Sequence, residues 1–336
     1  MKKKEITNEN QTILFDLIKK ALPANHAMVD VLSDLLEISA DATYRRLRGD
    51  KQINFEEAVL LCKHFHISMD ALADIASDKN YIRCYYMPLD LTVMDDYLIF
   101  IRNMSNNIES FRLVSEREIF MTTVDLPLFN LFSYKELTLF KMFSWNKTVY
   151  GYRDNYDTFL REKESLEQLN KTFEKIINNY LFIPSSEIWT SNTIDPIIRL
   201  LRYHLEMNHF EDKTMPLFLC DQLLDLFNTV EKWAEKGTKE QKEIPYHLYI
   251  SETDIANTFI LFKSPEKSSC LIRLYTINGL TITDEHFCKE TEQWLRNSAK
   301  QSTLISVASE KERFKFFHFQ RQKIKSLIEY IYQSDL

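Results

Sequence analysis

The chain has 336 residues, 45% of them hydrophobic and 27% charged, with 42 basic and 49 acidic side chains for a formal net charge of −7. That balance excludes a general polyanion binder and leaves a local patch as the only route to nucleic acid. Its four glycines, Gly49, Gly151, Gly237 and Gly279, do not cluster, which excludes the glycine-rich phosphate cradles of Rossmann and P-loop enzymes.

Residues 1–10 read as a polar tail with no apolar stretch behind the basic start Met1-Lys2-Lys3-Lys4. No run anywhere approaches the ~18 apolar residues needed to span a bilayer. The cysteines, at 62, 84, 220, 270 and 288, are odd in number and lack paired spacing, the pattern of free thiols in a reducing compartment. The expected address is therefore cytoplasmic, without membrane contact.

From Thr12 the chain reads as short helices with brief punctuation. Ile13, Leu14, Leu17, Ile18 and Ala21 recur at helical spacing up to Pro23, and Met28–Leu36 follows with Val29, Leu32 and Leu36 on one face. Ser39 is a natural N-cap for a helix over Ala40–Arg48, and Gly49 is placed to stop it in a left-handed conformation. Asn54 caps another helix through Phe65, and Met69–Ile75 completes a five-helix module. Ser77–Asn80 reads as a junction, giving domains over 1–77 and 78–336. Beyond it the sequence predicts a strand at Tyr81–Met87, then helices over 93–107, 134–144, 156–178, 194–208 and 214–235. From Tyr246, with an internal boundary near 240, the period shortens. Strands at His247–Ser251, Thr258–Lys263 and Cys270–Ile277 read as an antiparallel sheet. A helix over Asp284–Ala299, a strand at Ser302–Val307 and a closing helix over Ser309–Tyr332 end the chain. The expected class is mainly α with a smaller α+β part.

The strongest functional signal is the pair Met28–Leu36 and Ala40–Arg48 joined by Glu37-Ile38-Ser39, the arrangement that presents a second helix to a DNA groove. Tyr44 and Leu47, three apart, are expected to face the core, leaving Asp41, Thr43, Arg45, Arg46 and Arg48 to solvent. Arginine is the best donor to guanine and neutralises phosphate as well. Thr43 suits a base edge, Arg48 and Lys51 suit the backbone, and Ser39 and Asp41 sit at the helix start. Residues 1–77 hold ten basic and twelve acidic side chains, yet 39–51 hold four basic and two acidic, so the positive field is local.

The segment Ile38-Ser39-Ala40-Asp41-Ala42-Thr43-Tyr44-Arg45-Arg46-Leu47-Arg48-Gly49 and the stretch Phe55–Leu72, with Ile67-Ser68-Met69-Asp70-Ala71-Leu72, resemble the lambda-repressor/Cro-like helix-turn-helix family. The nearest variant is the BetR-type bacterial regulator domain. The resemblance covers about one fifth of the chain. It implies that Ala40–Arg48 enters the major groove of double-stranded DNA and that the protein works as a homodimer. The expected function is sequence-specific transcription regulation, with residues 78–336 dimerising or sensing an unknown effector or protein partner. The alternative is an adaptor that uses the same fold to hold another protein.

Other signals are weaker. The closing helix carries Lys311, Arg313, Lys315, Arg321, Lys323 and Lys325 beside an apolar stripe of Phe314, Phe317, Ile324 and Leu327, best read as a docked helix with lysines in water. Cys62, His64 and His66 do not share one helix face, and neither His286/Cys288 nor His204/His209 has a second pair at zinc spacing. Glu187-Ile188-Trp189 suits aromatic packing as well as ligand binding. No nucleophile-elbow pattern exists, so no enzyme, cofactor or metal is expected.

Overall fold

The computed structural model describes residues 9–22, 27–65, 67, 69, 82, 84–86, 94–164, 167–239, 243–274 and 277–333. The chain divides into two compact units, Met1–Arg83 and Cys84–Leu336.

The first unit holds α1 (Glu9–Ala21), α2 (Met28–Leu36), α3 (Ala40–Leu47) and α4 (Phe55–His64). The fifth helix expected over Met69–Ile75 lies, apart from Met69, outside the described residues, as does the junction at 77–80. Apolar residues at helical spacing make the small core: Leu14, Phe15 and Ile18 of α1 meet Leu32 of α2 and Leu61 and Cys62 of α4. α2 ends in a Schellman turn, with Glu37 at φ 52° and the Ile38 amide donating to Ser33 O at 3.1 Å. Ser39 then caps α3 by accepting from the Ala42 amide at 3.3 Å. Gly49 takes φ 79° just past α3, where left-handed backbone closes the helix. Asn54 and Glu57 form a reciprocal capping box that starts α4.

The second unit opens with β1 (Cys84–Tyr86), α5 (Met94–Arg112) and β2 (Glu118–Thr122). Next come α6 (Leu128–Leu131), α7 (Lys135–Val149), α8 (Tyr156–Glu164), α9 (Glu167–Tyr180) and β3 (Ser185–Thr190). Helices α10 (Asp195–Glu206) and α11 (Met215–Lys236) lead to β4 (Thr238–Lys239), β5 (Ile244–Ser251), β6 (Phe259–Lys263), β7 (Ser269–Arg273) and β8 (Gly279–Ile282). The last elements are α12 (Glu285–Lys300), β9 (Thr303–Leu304) and α13 (Glu310–Gln333).

The nine strands among the described residues join one sheet in the order β1-β8-β7-β6-β2-β3-β5-β4, with β9 pairing β5. The sheet is mixed, which corrects the expectation of an antiparallel one. β2 pairs β3 in parallel and β3 pairs β5 in parallel, while the remaining pairs are antiparallel. The reason lies in the connections: helices α6–α9, then α10 and α11, carry the chain back to the starting end of the sheet, as only crossovers do. Strand alternation sorts the two faces. Ile119, Met121 and Trp189 enter a large core shared with the crossover helices and α13. Phe120 and Ile188 point the other way, against Cys288, Leu295 and Ala299 of α12.

In α13 the buried stripe is Phe316, Phe317, Gln320, Ile324, Leu327 and Ile331. Phe314, expected in that stripe, is exposed, because it lies about 100° of helix rotation ahead of the buried Phe317 row. Arg313, Arg321 and Lys323 are used within the unit, on Ile305 O, on Glu231 and Asn228, and on Asp195.

Candidate functional site

The outer face of α3 is built by its inner one. Thr43 and Arg46 are 1% and 4% exposed, correcting their expected availability to solvent. The Thr43 hydroxyl lies 2.9 Å from the Ser33 hydroxyl on α2 and donates to Ser39 O at 3.2 Å. The Arg46 guanidinium makes a forked pair with Glu57 of α4, at 2.6 and 3.1 Å, and donates back to Ala42 O at 3.2 Å. That hydrogen bond from Arg46 lowers the Glu57 pKa, outweighing the upward push of burial. Gln11 of α1 completes the frame. Its amide nitrogen donates to Arg46 O and Lys51 O at 2.7 and 3.0 Å, and its oxygen accepts from the Ile53 amide at 2.9 Å.

Tyr44, expected in the core, is instead 50% exposed. The physical reason is phase. Thr43, Arg46 and Leu47 occupy the inward 3–4 spacing, which rotates Asp41, Tyr44, Arg45 and Arg48 onto one outward face. Ser39 opens this face and Lys51 closes it, both exposed. Arg48 reaches Asp50 at 3.0 Å in a pair exposed on both sides, an interaction weak enough to exchange for another anion. Phe55, at the start of α4, is 69% exposed. The structure thus gathers Asp41, Arg45 and Arg48 on the outward face and assigns Thr43 and Arg46 to its support. Gln11 escaped the sequence reading, although it sits one helical turn before Leu14 and Phe15, in phase with the buried stripe.

Among the described residues of the second unit, three buried polar clusters stand out. At the first, loops leave the C-terminal ends of β2 and β7, and Lys141 and Arg273 both bond Asp125. At the second, the Glu187 carboxylate on β3 accepts from Tyr180 Oη and from Trp189 Nε1 at 2.9 Å, with Tyr246 Oη at 3.5 Å. Beside it the Lys239 ammonium donates to Tyr180 O and Ile183 O at 3.1 and 2.8 Å, and burial, opposed by Glu187, pushes its pKa down to about 7. At the third, His204 Nδ1 lies 2.8 Å from His209 Nδ1, and His204 Nε2 lies 3.0 Å from Ser144 Oγ. Sequence spacing gave no reason to expect that these two histidines partner each other, as they do.

Cys62 belongs to the small core and His64 is exposed, while His66 lies outside the described residues. No helix among the described residues is long and apolar enough to cross a membrane. Compared with protein-family models, curated proteins and solved structures, the chain finds no match.

Proposed function

We propose that this chain is a sequence-specific DNA-binding regulator whose α2–turn–α3 segment is a helix-turn-helix and whose α3 reads the major groove. The observation that carries the reading is the outward row Asp41, Tyr44, Arg45 and Arg48 on a helix locked from behind by Gln11, Ser33 and Glu57. A rigid helix with arginines on its free face can place a guanidinium against guanine O6 and N7. Arg45, near the centre of the row, is the base reader. Arg48 and Lys51, toward its C-terminal end, contact phosphate, which positions the helix without specifying sequence. A homodimer would set two such helices about one turn of DNA apart on a palindromic site. The local positive charge of residues 39–51 supports this reading within an acidic chain.

A second reading, a protein-binding adaptor, is favoured by Tyr44, exposed on this face, and by Phe55, exposed at the start of α4. Enrichment of random DNA fragments on the purified full-length protein separates the two. A DNA reader yields a palindromic motif whose log affinity falls linearly with log salt, by about 0.9 per phosphate contacted. No enrichment from folded protein at low salt, in buffer and in cell extract, favours the adaptor.

A further inference from the structure

Among the buried polar groups of the second unit, one is under-used. Lys141 lies in the middle of α7, a helix buried continuously from Leu137 to Asn146. Its side chain is 3% exposed. An ammonium has three N–H donors, but among the described residues this one has a single hydrogen-bond acceptor, Asp125 Oδ2, at 2.5 Å. The other groups near it are the ring of Trp145, 5.9 Å to the centroid, and cations: Arg273 bonds the same Asp125 oxygen at 3.1 Å, and the charge of Arg199 also reaches Lys141. The remaining carboxylate oxygen of Asp125 accepts from the Leu126 amide at 2.8 Å. Two cations thus converge on one oxygen, with two ammonium donors left over.

Leaving charged donors unfilled in a dry interior is costly. A second under-used polar group follows Asp125 by five residues in the chain. Asn130, on the short helix that follows the Asp125 loop, is buried with both side-chain amide atoms unpartnered. The Arg273 side chain is 19% exposed, so the cluster reaches solvent on that side. Its place, beyond the C-terminal end of parallel strand β2, is where open sheets with parallel strands and helical crossovers bind ligands.

We propose that Lys141 and Arg273 bind the oxyanion of a small molecule, a carboxylate or a phosphate, with Asp125 holding the two cations in position. The proposal concerns the second unit alone and does not rest on the DNA reading of α3.

The test is thermal unfolding of the full-length protein in titrations of inorganic phosphate and, separately, succinate, each against chloride at matched ionic strength. Wild type should show a saturable rise of about 5 °C at ligand concentrations near one hundred times Kd. Saturation with phosphate alone assigns a phosphate ligand, and with succinate alone a carboxylate. Lys141→Met, which leaves Asp125 paired with Arg273, and Arg273→Gln, at the partly exposed side, should each abolish the rise. If Lys141→Met does not fold, Arg273→Gln decides. A wild type with no saturable response to either anion overturns the proposal, and so does a rise that persists in a folded variant.

Discussion

Two adjacent arginines of α3 do opposite jobs, and the distinction rests on one helical step. Arg46 is buried against Glu57, whereas Arg45 is exposed. Arg46→Ala strands a half-buried carboxylate and should cost about 2–4 kcal/mol of stability. Arg45→Ala should stay within about 0.5 kcal/mol. Urea unfolding of both variants checks the split; equal losses would mean that the two side chains are not divided between frame and surface. The Glu57 pKa is depressed in the fold. Its stabilising contribution is therefore complete above the ordinary carboxylate value of about 4.5 and disappears as pH falls through the folded value.

At the scale of elements, the α8–α10 region is held by a neutral histidine pair and α11 by its C-terminal glycine. Burial, reinforced by His209 and Lys147, holds His204 down to about 3. Between the unfolded value of about 6.5 and the folded one, only the unfolded chain takes up this proton, so stability falls as pH drops through that window. The slope reaches about 1.4 kcal/mol per pH unit. His204→Gln should flatten that part of the stability–pH curve in equilibrium unfolding; an unchanged slope would show that His204 is protonated in the fold. Gly237 ends α11 at φ 71°, and a Cβ there would collide with Val307 Cγ2. Gly237→Ala should cost about 1–3 kcal/mol by calorimetry. A neutral result would mean that Val307 moves aside freely.

The same scale shows what sequence patterns carry. α11 and its stop at Gly237 were legible because apolar spacing and a left-handed cap agree. β2 and β3 were not: Glu118–Thr122 and Ser185–Thr190 are short, nearly fully buried strands inside a helical stretch, and burial on both faces erases the alternation that marks a strand. Lys141 escaped the sequence reading, although it lies between Leu139-Phe140 and Met142-Phe143 in an otherwise apolar run. Its partner Asp125 lies 16 residues away, and Arg273, which bonds the same Asp125, lies 148 residues from it along the chain.

At the scale of the molecule, an acidic chain presents a local basic row on a small helical unit and carries a larger unit built on a mixed sheet. The helix pair and its capping were readable because each signal is local. The facing of α3 was not, since Tyr44 and Leu47 satisfy a three-residue spacing as well as Thr43 and Leu47 satisfy a four-residue one, and the choice depends on Ser33 and Glu57 from other helices. In the proposed function, the outward face, and Arg45 in particular, reads DNA. The most direct measurement is the affinity of wild type and Arg45→Ala for the enriched fragment at fixed salt, with melting temperature recorded for each. Arg45→Ala should lose about 1–3 kcal/mol of binding, roughly 5- to 150-fold, with the melting temperature unchanged. Unchanged affinity of a folded Arg45→Ala protein would contradict that reading.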